Sequence, residues 1–172
     1  YVCDDVAYSG GGDAIVTDQG GGDASVIVGR ISMEASVGGL DVVANIAKSK
    51  PFVGSAASPE MDITFDAVGT GTAWLYAVDT DFLGLGNIHG SVDGNSSDGT
   101  CVQGFAGTST ANDGSLATST SSATSCAKNF SLGFSGPGAA SSPYSMVVGL
   151  KIEGKGGQSS GDLLVTVPEP VS

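Results

Sequence analysis

Basic charge is scarce in this chain: its 172 residues hold 6 Lys+Arg against 18 Asp+Glu, a formal net charge of -12. Nucleic acid and anionic lipid are recognised through basic patches, so neither is an expected partner. Histidine and tryptophan occur once each, and charged residues make up only 14% of the chain, which is not a typical cytosolic enzyme composition. No run approaches eighteen consecutive apolar residues, and no basic n-region precedes an apolar h-region, so no membrane span or leader is expected in the chain as given. Cysteine is sparse too. Cys3, Cys101 and Cys126 form no Cys-x-x-Cys pair and His89 stands alone, so zinc spacing is absent.

Glycine is what the chain has in quantity, 28 residues of it, together with Ser, Thr and Asp, while 40% of the residues are hydrophobic. That mixture reads as an exported protein, and the length suits one domain able to bury roughly 70% of its unfolded surface. Period-2 alternation recurs where helical punctuation does not. Residues 62–68 place apolar side chains on one face, 73–78 are apolar on both, and 144–152 and 162–167 flank a Gly-rich stretch, 153–161, that reads as a turn between an antiparallel pair. Further strands are expected over 14–17, 24–36, 41–47, 100–105 and 130–134, with a short helix as the alternative over 41–48. The expected fold is all-β: a single antiparallel β-sandwich or jelly roll with Gly-rich turns over 1–167, a Ser/Thr-rich loop at 106–127 within it.

Gly-Gly-Gly-Asp-Ala occurs twice, ten residues apart, at 10–14 and 20–24. Two copies make neither a calcium β-roll nor a phosphate cradle, because the nonapeptide register and a following Gly-Lys-Ser/Thr are both missing, so the glycines read as turn residues. Cys101 and Cys126 bracket the Ser/Thr-rich loop, where a bridge removes much chain entropy, and a disulfide between them is expected; three free thiols are the other reading. Asp79, Asp81, Asp93, Asn95 and Asp98 put hard oxygen ligands on two loops and make calcium a candidate, although no cofactor is required and turn Asp residues ordinarily bond their own backbone. Asn95 and Asn129 begin Asn-x-Ser patterns and are candidate glycosylation acceptors.

Catalysis finds no constellation. His89 lies in Gly-Asn-Ile-His-Gly with no nucleophile elbow in the chain, and Glu34, Glu60, Glu153 and Glu169 are scattered, so no catalytic residue is nominated. Trp74, Tyr76 and Phe82 offer a sugar platform or, on their strand pattern, part of the core.

The final eleven or so residues carry a resemblance. A last strand runs into Val167-Pro168-Glu169-Pro170, and this junction resembles that of bacterial PEP-CTERM proteins, in which a membrane helix and basic cluster follow and an exosortase processes the tail. Here the helix and basic cluster are missing. The resemblance implies a protein at the cell surface or outside a Gram-negative-type bacterium, with 168–172 the remnant of a sorting signal. Two function classes follow: a non-enzymatic structural protein of the surface or matrix that polymerises with itself by strand exchange or addition, or a module binding extracellular polysaccharide or calcium. For the first, the apolar ends are the expected contacts, with Tyr1, Val2, Val6 and Tyr8 as the assembly residues, because few basic residues exist to guard an open sheet edge.

Overall fold

Alternating side chains over so much of the chain become antiparallel strands, two of them far longer than the sequence suggests. The computed structural model describes residues 2–3, 14–97, 99–113 and 121–168. Its strands are β1 (Val2–Cys3), β2 (Arg30–Val37), β3 (Leu40–Lys48), β4 (Glu60–Phe82), β5 (Ile88–Ser96), β6 (Cys101–Ser109), β7 (Ser121–Ser125), β8 (Asn129–Gly136) and β9 (Tyr144–Thr166). β4 and β9 pair along almost their whole length, Glu60 opposite Thr166 and Phe82 opposite Tyr144. Their outer edges change neighbours midway. Residues 62–69 of β4 pair with β3 and 74–75 with β1, while 159–166 of β9 pair with β5 and 145–153 with β6.

The hydrogen-bonded sheet therefore folds over itself along its two central strands. One layer runs β2-β3-β4-β9-β5-β8 and the other β1-β4-β9-β6-β7, a β-sandwich whose layers share β4 and β9. The bend falls at Gly69 and Gly71 on β4 and at Gly156 on β9, all with positive φ (124°, 145° and 104°), and the register slips there between Val68 and Thr70. A side chain at these positions would be strained, so glycine is what lets both strands turn together. The β2–β3 hairpin tip, Gly38–Gly39, also has φ above zero at both residues, as a two-residue turn between twisted strands requires, and the Gly39 carbonyl accepts from Thr70 N at 3.2 Å.

Between the layers lies the main core. Phe65, Ile63, Leu163 and Val92 from one layer meet Leu75, Leu150, Ile152 and Val102 from the other, all at most 2% exposed. The approach is close: a Cβ on Gly104 of β6 would stand 3.1 Å from Val92 of β5.

Several expectations are corrected. The Gly-rich stretch 153–161 is no turn but the middle of β9, because glycines on the facing strand bend with it. Residues 62–68 and 73–78 are one strand for the same reason. The loop expected over 106–127 shrinks, since β6 runs to Ser109 and Ser121–Ser125 forms β7, with Ser122 and Thr124 exposed while the backbone pairs with β6. Residues 14–17 and 24–29 are not strands. Carboxylates there take the backbone amides that a ladder would use: Asp18 Oδ2 accepts from Gly29 N at 2.8 Å, and Asp23 Oδ1 from Ser25 N at 2.9 Å and Ser32 N at 3.0 Å. Residues 41–48 form strand rather than helix, paired on both sides.

Candidate functional site: an open strand edge above an apolar cleft

The two layers are unequal on one side. Beyond residues 60–69 of β4 the first layer continues with two full strands, β3 and β2, whereas beyond residues 70–82 the second layer has, among the described residues, the two residues of β1, opposite Leu75 and Trp74. The register of β1 leaves residues 77–79 of β4 with no ladder partner on that edge among the described residues. Under this edge a cleft of about 230 Å³ opens between the layers. Ile31, Met33, Met61 and Ile63 line it from the first layer, Leu75 and Ala77 from the second. Val16, Thr17 and Asp18, from the segment before β2, line it as well.

Polar groups close its rim. Lys50 Nζ pairs with Asp79 Oδ2 at 2.8 Å, donates to the Thr80 carbonyl, and stands 4.3 Å from the centre of the Phe82 ring; Ser49 Oγ donates to the same Asp79 oxygen at 2.5 Å. This clasp joins the end of β3 to the end of β4 across the mouth. Lys48 pairs with Asp62 at 2.5 Å on the outer face of the first layer. Burial raises the Asp62 pKa, Lys48 pulls it down, neighbouring Asp162 adds to the rise, and the balance puts it at about 6.

A folded-state pKa of about 6 against an ordinary 3.8 means that the native state binds the Asp62 proton more tightly than the unfolded chain does. This group's contribution to stability is therefore greatest below pH 4 and falls as pH rises through 6. Asp62→Asn is expected to remove that fall and to raise stability at pH 7 by on the order of 1 kcal/mol, the shift being discounted for the solvent on the carboxyl's open side. Urea unfolding of both proteins at pH 4 and pH 7 checks it. An equal loss between the two pH values in the variant would refute it.

The other expected site residues are distributed as follows. Asp79 and Asp81 lie at one end of β4, and Asp93 and Asn95 on β5; Asp79 pairs in register with Met146 and Asp93 with Asp162, at opposite ends of β9, so the structure does not bring the two acidic groups together. Asp81 is held by Asn112, each backbone or side-chain amide at 2.8 Å, and this bond, with a second from Thr80, keeps its carboxyl below the usual range. Asp98 lies outside the described residues, and among those described no group of three or more His, Cys, Asp or Glu side chains is placed to hold a metal ion. Asn95 and Asn129 are exposed and face each other across β5 and β8. His89 is exposed on β5 between Thr166 and Ser135 in the ladders.

Val2 is the member of the expected assembly set whose backbone is described, on the β4 edge; Tyr1, Val6 and Tyr8 lie outside the described residues. Of the terminal motif, Val167 is buried and donates its N–H to the Pro59 carbonyl at 3.0 Å, Pro168 is exposed, and Glu169 and Pro170 are outside the description. Cys101 and Cys126 are disulfide-bonded.

Trp74 and Tyr76 face away from the main core, on the outside of the second layer, where Tyr76, Phe105 and Val147 form a second cluster with Trp74 and Val78 against it. Trp74 and Tyr76 stack with ring centroids 6.3 Å apart and both meet Phe105 edge-on, while Phe82 packs inside against Tyr144. Tyr76 and Phe105 are only 8% and 6% exposed, so they serve as a buried cluster. Sequence reading missed the cleft itself, because a gap in one layer is set by strand order, which no local pattern encodes.

No protein-family model and no curated protein matches the chain. Among solved structures it is similar to one from work on the promiscuous specificity of carbohydrate-binding modules from the β-sandwich superfamily, at 10% identity and a TM-score of 0.40, covering 80% of this chain and 72% of that one.

Proposed function

We propose that this chain is a non-enzymatic structural protein of the bacterial exterior that polymerises by strand exchange, its N-terminal strand occupying the β4 edge of the next copy. The observation that carries this reading is the cleft beneath residues 77–79 of β4, on an edge that β1 already engages. An added strand there makes main-chain hydrogen bonds to β4 and sets alternate side chains against Ile31 and Met33, which is how donor strands are recognised. The linker permits exchange: 11 positions separate Cys3 from Ala14, they include Gly10, Gly11 and Gly12, and such a length spans at most about 40 Å. A contact of this kind is heterologous and builds an open fibre unless its rotation closes. The Cys101–Cys126 bridge fits an oxidising, extracellular compartment, and the Val-Pro-Glu-Pro tail serves as the export and sorting signal. Salt and divalent cations favour the polymer by screening a net charge of -12 per copy.

Deleting residues 1–8 is expected to leave a folded monomer, while the intact chain forms filaments visible by negative-stain microscopy. Trp74→Cys, opposite Cys3 in the β1–β4 register, is expected to give a ladder of covalent oligomers on oxidation. If the intact chain stays monomeric at high concentration with calcium, or cross-links only within single chains, exchange is refuted and polysaccharide binding by the same sandwich becomes the reading to test.

A further inference from the structure

The opposite flank of the sandwich ends in a different kind of edge. β8 pairs with β5 on one side, and its other side has no ladder partner among the described residues. Protein edges are normally guarded by charge, proline, bulges or shortness. β2, at the far end of the same layer, carries Arg30 and Glu34 and a register slip between Ile31 and Met33. β7, beneath β8 in the second layer, has five residues and ends beside a disulfide. β8 has none of these: eight residues, Asn-Phe-Ser-Leu-Gly-Phe-Ser-Gly, with no charge, no proline and an unbroken register. Across the whole flank 121–136 the sole charged residue is Lys128.

We infer that β8 is a lateral self-association edge, pairing antiparallel with β8 of a second copy about a two-fold axis. The occupant follows from charge. Two molecules of net charge -12 repel wherever acidic surface meets acidic surface, and this flank is where a like copy approaches without opposing carboxylates. Register follows from the pleat. Phe130 is buried and Leu132 and Phe134 are half-buried on the core side, so joining the two sheets without flipping a face requires residues of the same parity to be opposite. That parity puts the axis on a residue, and placing it at Leu132, near the middle of the strand, sets Leu132 against Leu132 of the second copy, Phe130 against Phe134, and Ser131 against Gly133. Leu132 and Phe134 become covered, and the first layer continues as one sheet through both molecules. Such a contact is isologous and closes at two copies. Combined with head-to-tail exchange at the other flank it ties fibres side by side, but it does not depend on that exchange.

The test uses the full chain with Cys3→Ser, so that an introduced cysteine has no other thiol to meet. Leu132→Cys, at the axis, is expected to give covalent dimer as the main product of mild oxidation, and Ser131→Cys, opposite Gly133, at least fivefold less. Gly133→Lys puts an ammonium on this edge where a side chain has room, the nearest atom to its Cβ being 3.9 Å away. It is expected to weaken the dimer at least tenfold by sedimentation while leaving the midpoint of urea unfolding in place. Equal cross-linking at 131 and 132, or association unchanged by Gly133→Lys, overturns the proposal, as does a wild-type chain that sediments as a monomer at every concentration. Loss of filaments with the dimer retained counts against strand exchange alone; single-width filaments with no lateral pairing count against β8 alone.

Discussion

Gly71→Ala is expected to cost at least about 3 kcal/mol of folding stability, a large share of the roughly 5–15 kcal/mol a domain of this size has. Two effects add. Gly71 sits at φ 145°, where a Cβ is strained, and the Cβ would run into the carbonyl oxygen of Gly38 at the tip of the β2–β3 hairpin. The obstacle is backbone on both sides, so no rotamer change relieves it, and either the hairpin tip or the bend of β4 must move. Moving the bend is the more damaging outcome. β4 and β9 turn together there, and Gly154 of β9 has Gly69 O only 2.6 Å from where its own Cβ would be, so a shift in one strand displaces the other and the two layers lose their packing. Gly133→Ala, with open space at its Cβ, is the matched control and is expected to stay within about 0.5 kcal/mol of wild type. Urea unfolding followed by circular dichroism reads both. A Gly71 variant as stable as the control would show that the bend has another cause.

The same bend marks where sequence reading stopped. Alternation at 62–68 located a strand correctly, because a half-buried strand writes its two faces into successive residues. Glycines between such runs look alike whether the chain reverses or crosses into a second layer. What distinguishes the cases is whether a partner strand bends at the same level, and that is a non-local fact. β5 went unread for a related reason: its Gly90 and Gly94 look like turn residues, yet they make room for the rings of Phe134 and Phe130 on the adjacent strand. At the candidate site, the apolar residues were visible as core positions, and the N-terminal segment as a pairing strand. That Ile31 and Met33 line a cleft depends on strand order in the second layer, which no local pattern encodes. The aromatic strand 73–78 was read as core, and it is split: Ala73, Leu75 and Ala77 face inward while Trp74 and Tyr76 build a second cluster outside. Apolar residues on both faces indicate burial on both without saying what does the burying.

Replacing Cys101 and Cys126 together by serine is expected to cost about 3 kcal/mol, the loop-closure value for a bridge with a sequence separation of 25. The local consequence is more informative than the total. β7 is Ser-Ser-Ala-Thr-Ser, paired with β6, and Ala123 is its one apolar side chain, so hydrophobic burial does little to hold it. Val102 pairs with Ser125, which puts the bridge immediately beyond the last ladder pair, where it fixes the register and prevents fraying from that end. Without it the five ladder pairs must carry the ordering of β7, at a net gain of only about 1 kcal/mol per hydrogen bond. Amide exchange at 121–125 is therefore expected to accelerate by far more than a uniform 3 kcal/mol loss explains, reaching the rate of unprotected peptide, while β4 and β9 slow-exchanging amides shift only with global stability. Uniform acceleration across all strands would mean that β7 is part of the cooperative core. Selective loss at β7 would place the disulfide's role where the sequence is poorest in apolar side chains, as a covalent substitute for the core that a Ser/Thr strand cannot build.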